Sequence, residues 1–186
     1  ENTELAHCIE AVRRHALARP EVSFAIWHEG KIVEQWRSHP GEAGWNQRLA
    51  DVLGSFAGQV TENPIKEIEI LYDGVTSGMN TKALTSALLA GLIRPQVADV
   101  NMVSAPIMIK EKGVIVSEVK RDKTGVYDGY IRLTVTTEKQ TRSVAGTVFS
   151  DGKPRFIQIK GINMDADVGP NMIYISNTDV PGMIGF

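Results

Sequence analysis

The sequence predicts an α+β fold: a mostly antiparallel sheet packed by helices, with a helix and a β-hairpin added at the N-terminus. Three observations point there. Apolar residues recur at helical spacing in 3–18, 47–60 and 80–92, the mark of helices with one buried face. They alternate at period two in 22–27, in 65–72 and in stretches after residue 113, the mark of half-buried strands. Short polar turns, Glu138-Lys139-Gln140 and Ser150-Asp151-Gly152-Lys153, separate the later stretches as a meander requires.

Each element follows from its residues. In 3–18, Leu5, Cys8, Ile9, Val12 and Ala16 share a face, Cys8 reads as a small core residue, and Arg13 and Arg14 point away. Asn2 or Thr3 caps the start, and Arg19-Pro20 ends the helix because a residue before proline leaves helical conformation. Val22, Phe24 and Ile26 line one side of a strand, His28-Glu29-Gly30 turns the chain, and 31–37 returns. Trp27 and Trp36 then sit on facing strands, where cross-strand packing accounts for them. Pro40, Gly41 and Gly44 make 38–46 a loop that includes Trp45. Leu49, Val52, Leu53 and Phe56 are the stripe of the next helix. The strand 65–72 ends at Asp73-Gly74, the helix 80–92 starts from Asn80 or Thr81, and 104–112 is a short helix stopped by Gly113. Strands at 114–121, 130–138, 141–150 and 155–162 are expected to form one antiparallel meander. A last strand is expected at 172–176.

Composition narrows the function. A chain of 186 residues has room for a real core. Hydrophobic content of 42% and charged content of 23% exclude a disordered chain. A net charge of −2 supplies no basic field, so neither nucleic acid nor membrane is an expected partner. Cys8 has no cysteine to pair with, no Cys/His cluster is spaced for zinc, and no apolar run is long enough to span a membrane. No metal and no cofactor is therefore expected, and a cytoplasmic location is. The first residue is not Met, which reads as a processed or excised piece.

The rarer residues divide the chain. All four His (His7, His15, His28, His39) and all three Trp (Trp27, Trp36, Trp45) fall in the first 45 residues, whereas all six Met and all four Tyr come after residue 70. Two vocabularies suggest two origins.

Residues quoted from either side carry two resemblances. SFAGQ (55–59), ALLAGLIRPQVADVNMVSAPIMIKEKG (87–113), RSVAGTVFSDGKPRFIQIKG (142–161) and NTDVPGMIG (177–185) resemble the C-terminal regulatory part of D-3-phosphoglycerate dehydrogenase, an enzyme of serine biosynthesis. The resemblance implies an allosteric substrate-binding (ASB) domain over 46–168 and, in 169–186, the first strand of a truncated ACT domain. IEAVRRHALARPEVSFAIWHEGKIVEQWRSHP (9–40) is similar to the helix and hairpin of the second domain of MutL-type mismatch-repair ATPases. It implies a MutL-like segment over 1–45. A seam near 46–56 and a chimeric origin follow as expectations.

Catalysis is not expected. A G-x-G-x-x-G turn for a nicotinamide cofactor is absent, and no His follows residue 39. His7 and His15 lie eight apart on the first helix, the wrong spacing for a shared metal. The candidate chemistry is anion binding. Lys120, Arg121 and Lys123 cluster at a strand end, with Arg132 and Arg142 on following strands. Such cations suit a phosphate or carboxylate, and the resembled ASB domain binds an anionic effector. The alternative is a solvated strand end partly neutralised by Glu118 and Asp122. Asn101 and Ser104 add donors at a helix N-terminus. Asn177 and Asp179 match the effector turn of ACT domains, in a site the truncation leaves incomplete. Self-association through an exposed edge strand at 172–176 is also expected.

Overall fold

The computed structural model describes residues 2–18, 22–36, 38, 41–97, 99–122, 125–169 and 172–175. The chain begins with α1 (Asn2–Ala18), followed by β1 (Phe24–His28) and β2 (Lys31–Trp36). The hairpin turn is two residues long. Glu29 and Gly30 both have positive φ, 49° and 77°, the geometry that matches the right-handed twist of paired strands. These two strands form a sheet of their own and do not join the larger one.

Local structure here is as expected; burial is not. Cys8 is exposed and no core residue. Leu5, Ile9 and Val12 are half-buried, and Ala16 alone of the described side chains before residue 42 is buried. Arg13 does not point away: it reaches Glu10 at 3.0 Å and Glu34 of β2 at 2.9 Å. Trp36 faces Phe24 rather than Trp27, and Trp27 lies opposite Ile32 with 63% of its surface exposed. A helix whose main described partner is a two-stranded hairpin has little apolar surface opposite it to bury its stripe.

The remaining elements are α2 (Glu42–Val60), β3 (Ile65–Gly74), α3 (Thr81–Ile93), α4 (Ser104–Glu111), β4 (Ile115–Arg121), β5 (Gly129–Thr137), β6 (Thr141–Val148), β7 (Pro154–Ile159) and β8 (Ile162–Asp167). They form a six-stranded sheet of order β4-β3-β5-β6-β7-β8, an α+β fold with a mostly antiparallel sheet. Two expectations about it need correction. β4 is not the start of the meander: it pairs parallel with β3, because α3 and α4 carry the chain back before β4 begins. β5 then crosses to the other side of β3 and pairs antiparallel. The second correction is the end of the sheet. Residues 155–162 are not one strand, since Lys160 and Gly161, with φ 50° and 79°, turn the chain into β8. Residues 172–175 form no strand, and the sheet's edges are β4 and β8.

All the main packing is on one face. Ile68, Ile70 and Tyr72 of β3, Ile131 and Leu133 of β5 and Val144 of β6 are buried with Leu49, Leu53, Leu88 and Leu92 of α2 and α3. The two helices touch through glycines. A methyl group on Gly54 or Gly58 would stand 2.0 or 2.1 Å from the carbonyl oxygens of Leu88 and Leu92, and one on Gly91 2.3 Å from that of Asp51. Small residues at this seam let the backbones meet. Arg94, just past α3, clamps Asp51 of α2 with contacts of 2.8 and 3.3 Å. Burial works against the Arg94 charge, but Asp51, reinforced by the more distant Glu34 and Glu10, more than offsets it and raises its pKa.

α2 also starts earlier than the sequence suggests. Gly41 accepts from the backbones of Gly44 and Trp45, so the glycines that read as loop lie at the helix start. Trp45 packs on Gly152, where a Cβ would meet its ring at 2.8 Å. Tertiary contact has overridden local propensity.

Candidate anion-binding site

The open face of the sheet is set by strand parity. On β5 the odd residues 131, 133 and 135 are buried under the helices, while Tyr130, Arg132, Thr134 and Thr136 are half-buried on the other side. Register carries this across: Thr134 faces Ser143, Thr136 faces Thr141, and Arg132 faces Ala145. The β7–β8 turn brings Lys160 to the same place, its backbone N–H donating to the Ser143 carbonyl at 2.8 Å. Arg132, Thr134, Thr141, Ser143, Lys160 and Gly161 thereby line an open basin of about 410 Å³.

The basin's lining is cationic and rich in hydroxyls. Arg132 offers a planar set of N–H donors and Lys160 a point charge, and the hydroxyls of Thr134, Thr141 and Ser143 share the lining, that of Thr141 paired with the Thr136 hydroxyl at 3.2 Å. Lys160 also lies 5.7 Å over the ring of Tyr174. Glu69, opposite Thr134 on β3, puts a carboxylate on the same face and bounds the positive region on that side. A further cleft among the described residues, between α2 and β6, holds about 10 Å³, scarcely a water molecule.

The cations singled out in the sequence do not come together. Lys120 pairs in register with Tyr72 and so stands on the helix side, whereas Arg121 pairs with Asp73 and stands on the open side. Arg121 is bound to Asp73 at 2.8 Å and donates to the Tyr130 hydroxyl at 2.9 Å. Arg142 faces Val135, on the helix side, where it donates to the carbonyl of Val60 at the end of α2. Among the described members of the set, only Arg132 lines the basin. Lys123, Asn177 and Asp179 lie outside the described residues.

Asn101 and Ser104 are engaged with each other. The Asn101 side chain accepts from the N–H groups of Val103 and Ser104 at 2.9 Å, and Ser104 Oγ accepts from the Asn101 N–H at 3.0 Å. This is a helix cap, and the donors expected to face an anion are already used.

Lys160 and the hydroxyls of Thr134, Thr141 and Ser143 were not legible as a site. Parity within a strand was readable, but the neighbour across it depends on register, and reading 155–162 as one strand hid the turn that places Lys160. The Lys-Gly pair between two apolar runs was the signal available.

Comparisons with known proteins divide the chain as its vocabulary does. Residues 46–160 match the model of the D-3-phosphoglycerate dehydrogenase intervening domain. The chain is similar to D-3-phosphoglycerate dehydrogenase of Bacillus subtilis, with 32% identity over 139 residues, covering 74% of this chain and 26% of that protein. The enzyme of the same name from Methanocaldococcus jannaschii is 28% identical over 138 residues, again 74% of this chain and 26% of that protein. The chain thus spans about a quarter of the length of these curated relatives. A segment is also 47% identical over 55 residues to the DNA mismatch repair protein MutL of Ralstonia nicotianae, covering 30% of this chain and 8% of that protein. The two matches cover 74% and 30% of the chain, together slightly more than the whole, so they overlap at a few positions.

Proposed function

From the premise that this chain belongs to the D-3-phosphoglycerate dehydrogenase intervening-domain family, we propose that it is a non-catalytic regulatory domain that binds a small phosphate or carboxylate effector on the open face of its sheet. The observation that carries this reading is the basin in which Arg132 and Lys160 flank Thr134, Thr141 and Ser143. Nothing in it resembles an acid–base pair or a nucleophile with a base, so its chemistry is binding. A cytoplasmic location goes with this reading, since the lone Cys8 is exposed and a reducing compartment keeps such a thiol unpaired.

Isothermal titration of the chain with phosphate, serine and 3-phosphoglycerate tests it. Binding of one of the two phosphate-bearing probes is expected, and Arg132→Ala should weaken it by roughly ten- to a hundredfold, the worth of a charged hydrogen bond. Arg121→Ala, which removes a cation already paired with Asp73, should leave it within about threefold. No heat with any probe, or equal binding by Arg132→Ala, would overturn the assignment.

A second reading rests on the match to two unrelated families in one chain. Joining of gene fragments by engineering or selection accounts for that without any biological activity. A single genomic reading frame containing both segments would exclude it.

A further inference from the structure

We propose that the outer edge of β4 is a self-association surface whose occupant is β4 of a second copy of this chain, paired antiparallel about Val119. β4 ends the sheet, so one row of its backbone N–H and C=O groups has no strand to bond among the described residues. The two edges of the sheet differ in how they meet a newcomer. β8 pairs with β7 through a register shift and carries Asp165 and Asp167 beside Arg155, features that turn a strand edge away from partners. β4 runs beside β3 in seven consecutive pairs without a shift. It contains no Pro, and it leaves Ile115, Val116 and Val119 exposed.

Charge selects the occupant. Pairing about Val119 sets Glu118 of each copy opposite Lys120 of the other, both on the helix side of the sheet, and Val119 against Val119 on the open side. Thr85 of α3 donates to one Glu118 oxygen at 2.5 Å, which fixes the carboxylate on the helix side of the sheet. Sliding the register by two residues sets Glu118 against Glu118 or Lys120 against Lys120. Parallel in-register pairing stacks both like pairs. Like charges directly opposite destabilise a sheet, and a slip of one residue sends partner side chains to opposite faces. One register is left, and it joins two six-stranded sheets into one.

Sedimentation of the full chain tests the association, and a concentration-dependent dimer is expected. Lys120→Glu, which brings like charges together at both pairs, should weaken it on the order of tenfold or more. Cross-linking locates the strand. In a Cys8→Ser background, Val119→Cys places two thiols across the two-fold axis, where antiparallel neighbours have Cα atoms about 4.5–5.5 Å apart, within disulfide reach. Ser117→Cys places them out of step. Rapid dimer disulfide at 119, none at 117, and suppression by Lys120→Glu are expected. A monomer at every concentration, a dimer indifferent to Lys120→Glu, no cross-link at 119, or equal cross-linking at 117 and 119 would each overturn the proposal.

Discussion

Leu53, Ile70, Leu88, Ile131 and Leu133 of the six-stranded unit have no exposed surface, whereas the helix and hairpin before residue 42 bury Ala16 and little else. Both regions adopt the elements their sequences encode. Only one has a layer to pack against. A helix and hairpin similar to a small part of a longer protein keep their local structure, because spacing and a two-residue turn decide it. Burial of their apolar faces depends on a partner surface that a two-stranded hairpin does not supply. Charge ties the helix to its own hairpin, Arg13 to Glu34, and charge also reaches across to the larger unit, where Glu34 and Glu10 add to the negative field at Arg94.

That contrast can be broken most forcefully at the helix seam. Gly58→Ala sets a methyl group 2.1 Å from the Leu92 carbonyl oxygen, a backbone clash that only separation of α2 from α3 relieves. A loss of about 3 kcal/mol or more is expected, at or beyond the upper end for overpacking, seen as a large fall in thermal midpoint. Leu53→Ala empties a fully buried site and should cost about 3 kcal/mol in denaturant unfolding. If either variant melts like the parent, the packed layer described here is wrong.

Alkaline pH probes the same layer. Burial pushes the Tyr72 phenol above its ordinary range; its hydrogen bond with Thr85, 2.8 Å long, opposes this, and the nearby Glu118 adds to it. The folded state therefore keeps this proton after the unfolded chain begins to release it. Stability should be intact below the unfolded value of about 10 and fall by at most about 1.4 kcal/mol per pH unit above it. Comparing Tyr72→Phe with the parent across that window should show the phenylalanine variant declining less. A parallel decline would contradict the assignment. In the helix–hairpin region the corresponding change is small. Ile9→Ala, at a half-buried site, should cost less than about 1 kcal/mol, and a loss equal to that of Leu53→Ala would mean the first helix has a buried partner after all.

Much of this architecture was readable before any coordinates. The helices near 3–18, 80–92 and 104–112 and the strand 65–72 follow from spacing and caps, and the hairpin from Glu29-Gly30. What was hidden depended on contacts distant in sequence. Gly41 and Gly44 read as loop until Trp45 is seen against Gly152. Alternation showed that 114–121 holds a strand but not that it lies parallel to β3 at an edge. The site suffered most. Five cations close in sequence, or on successive strands, looked like one cluster, yet parity sends Lys120 and Arg142 to the helix side and leaves Arg132 and Arg121 on the other. Arg132 meets Lys160 only through a turn that the strand pattern concealed.

The central claim, that effector binding belongs to the sheet's open face and not to the helix–hairpin or the strand-end cations, is tested most directly by mapping backbone amide shifts in a heteronuclear NMR titration with 3-phosphoglycerate. Saturable shifts at Arg132, Thr134, Thr141, Ser143 and Lys160, with α1 and its hairpin unmoved, are the predicted result. Shifts centred on Lys120, Asn101 and Ser104, or on the helix–hairpin, would contradict it.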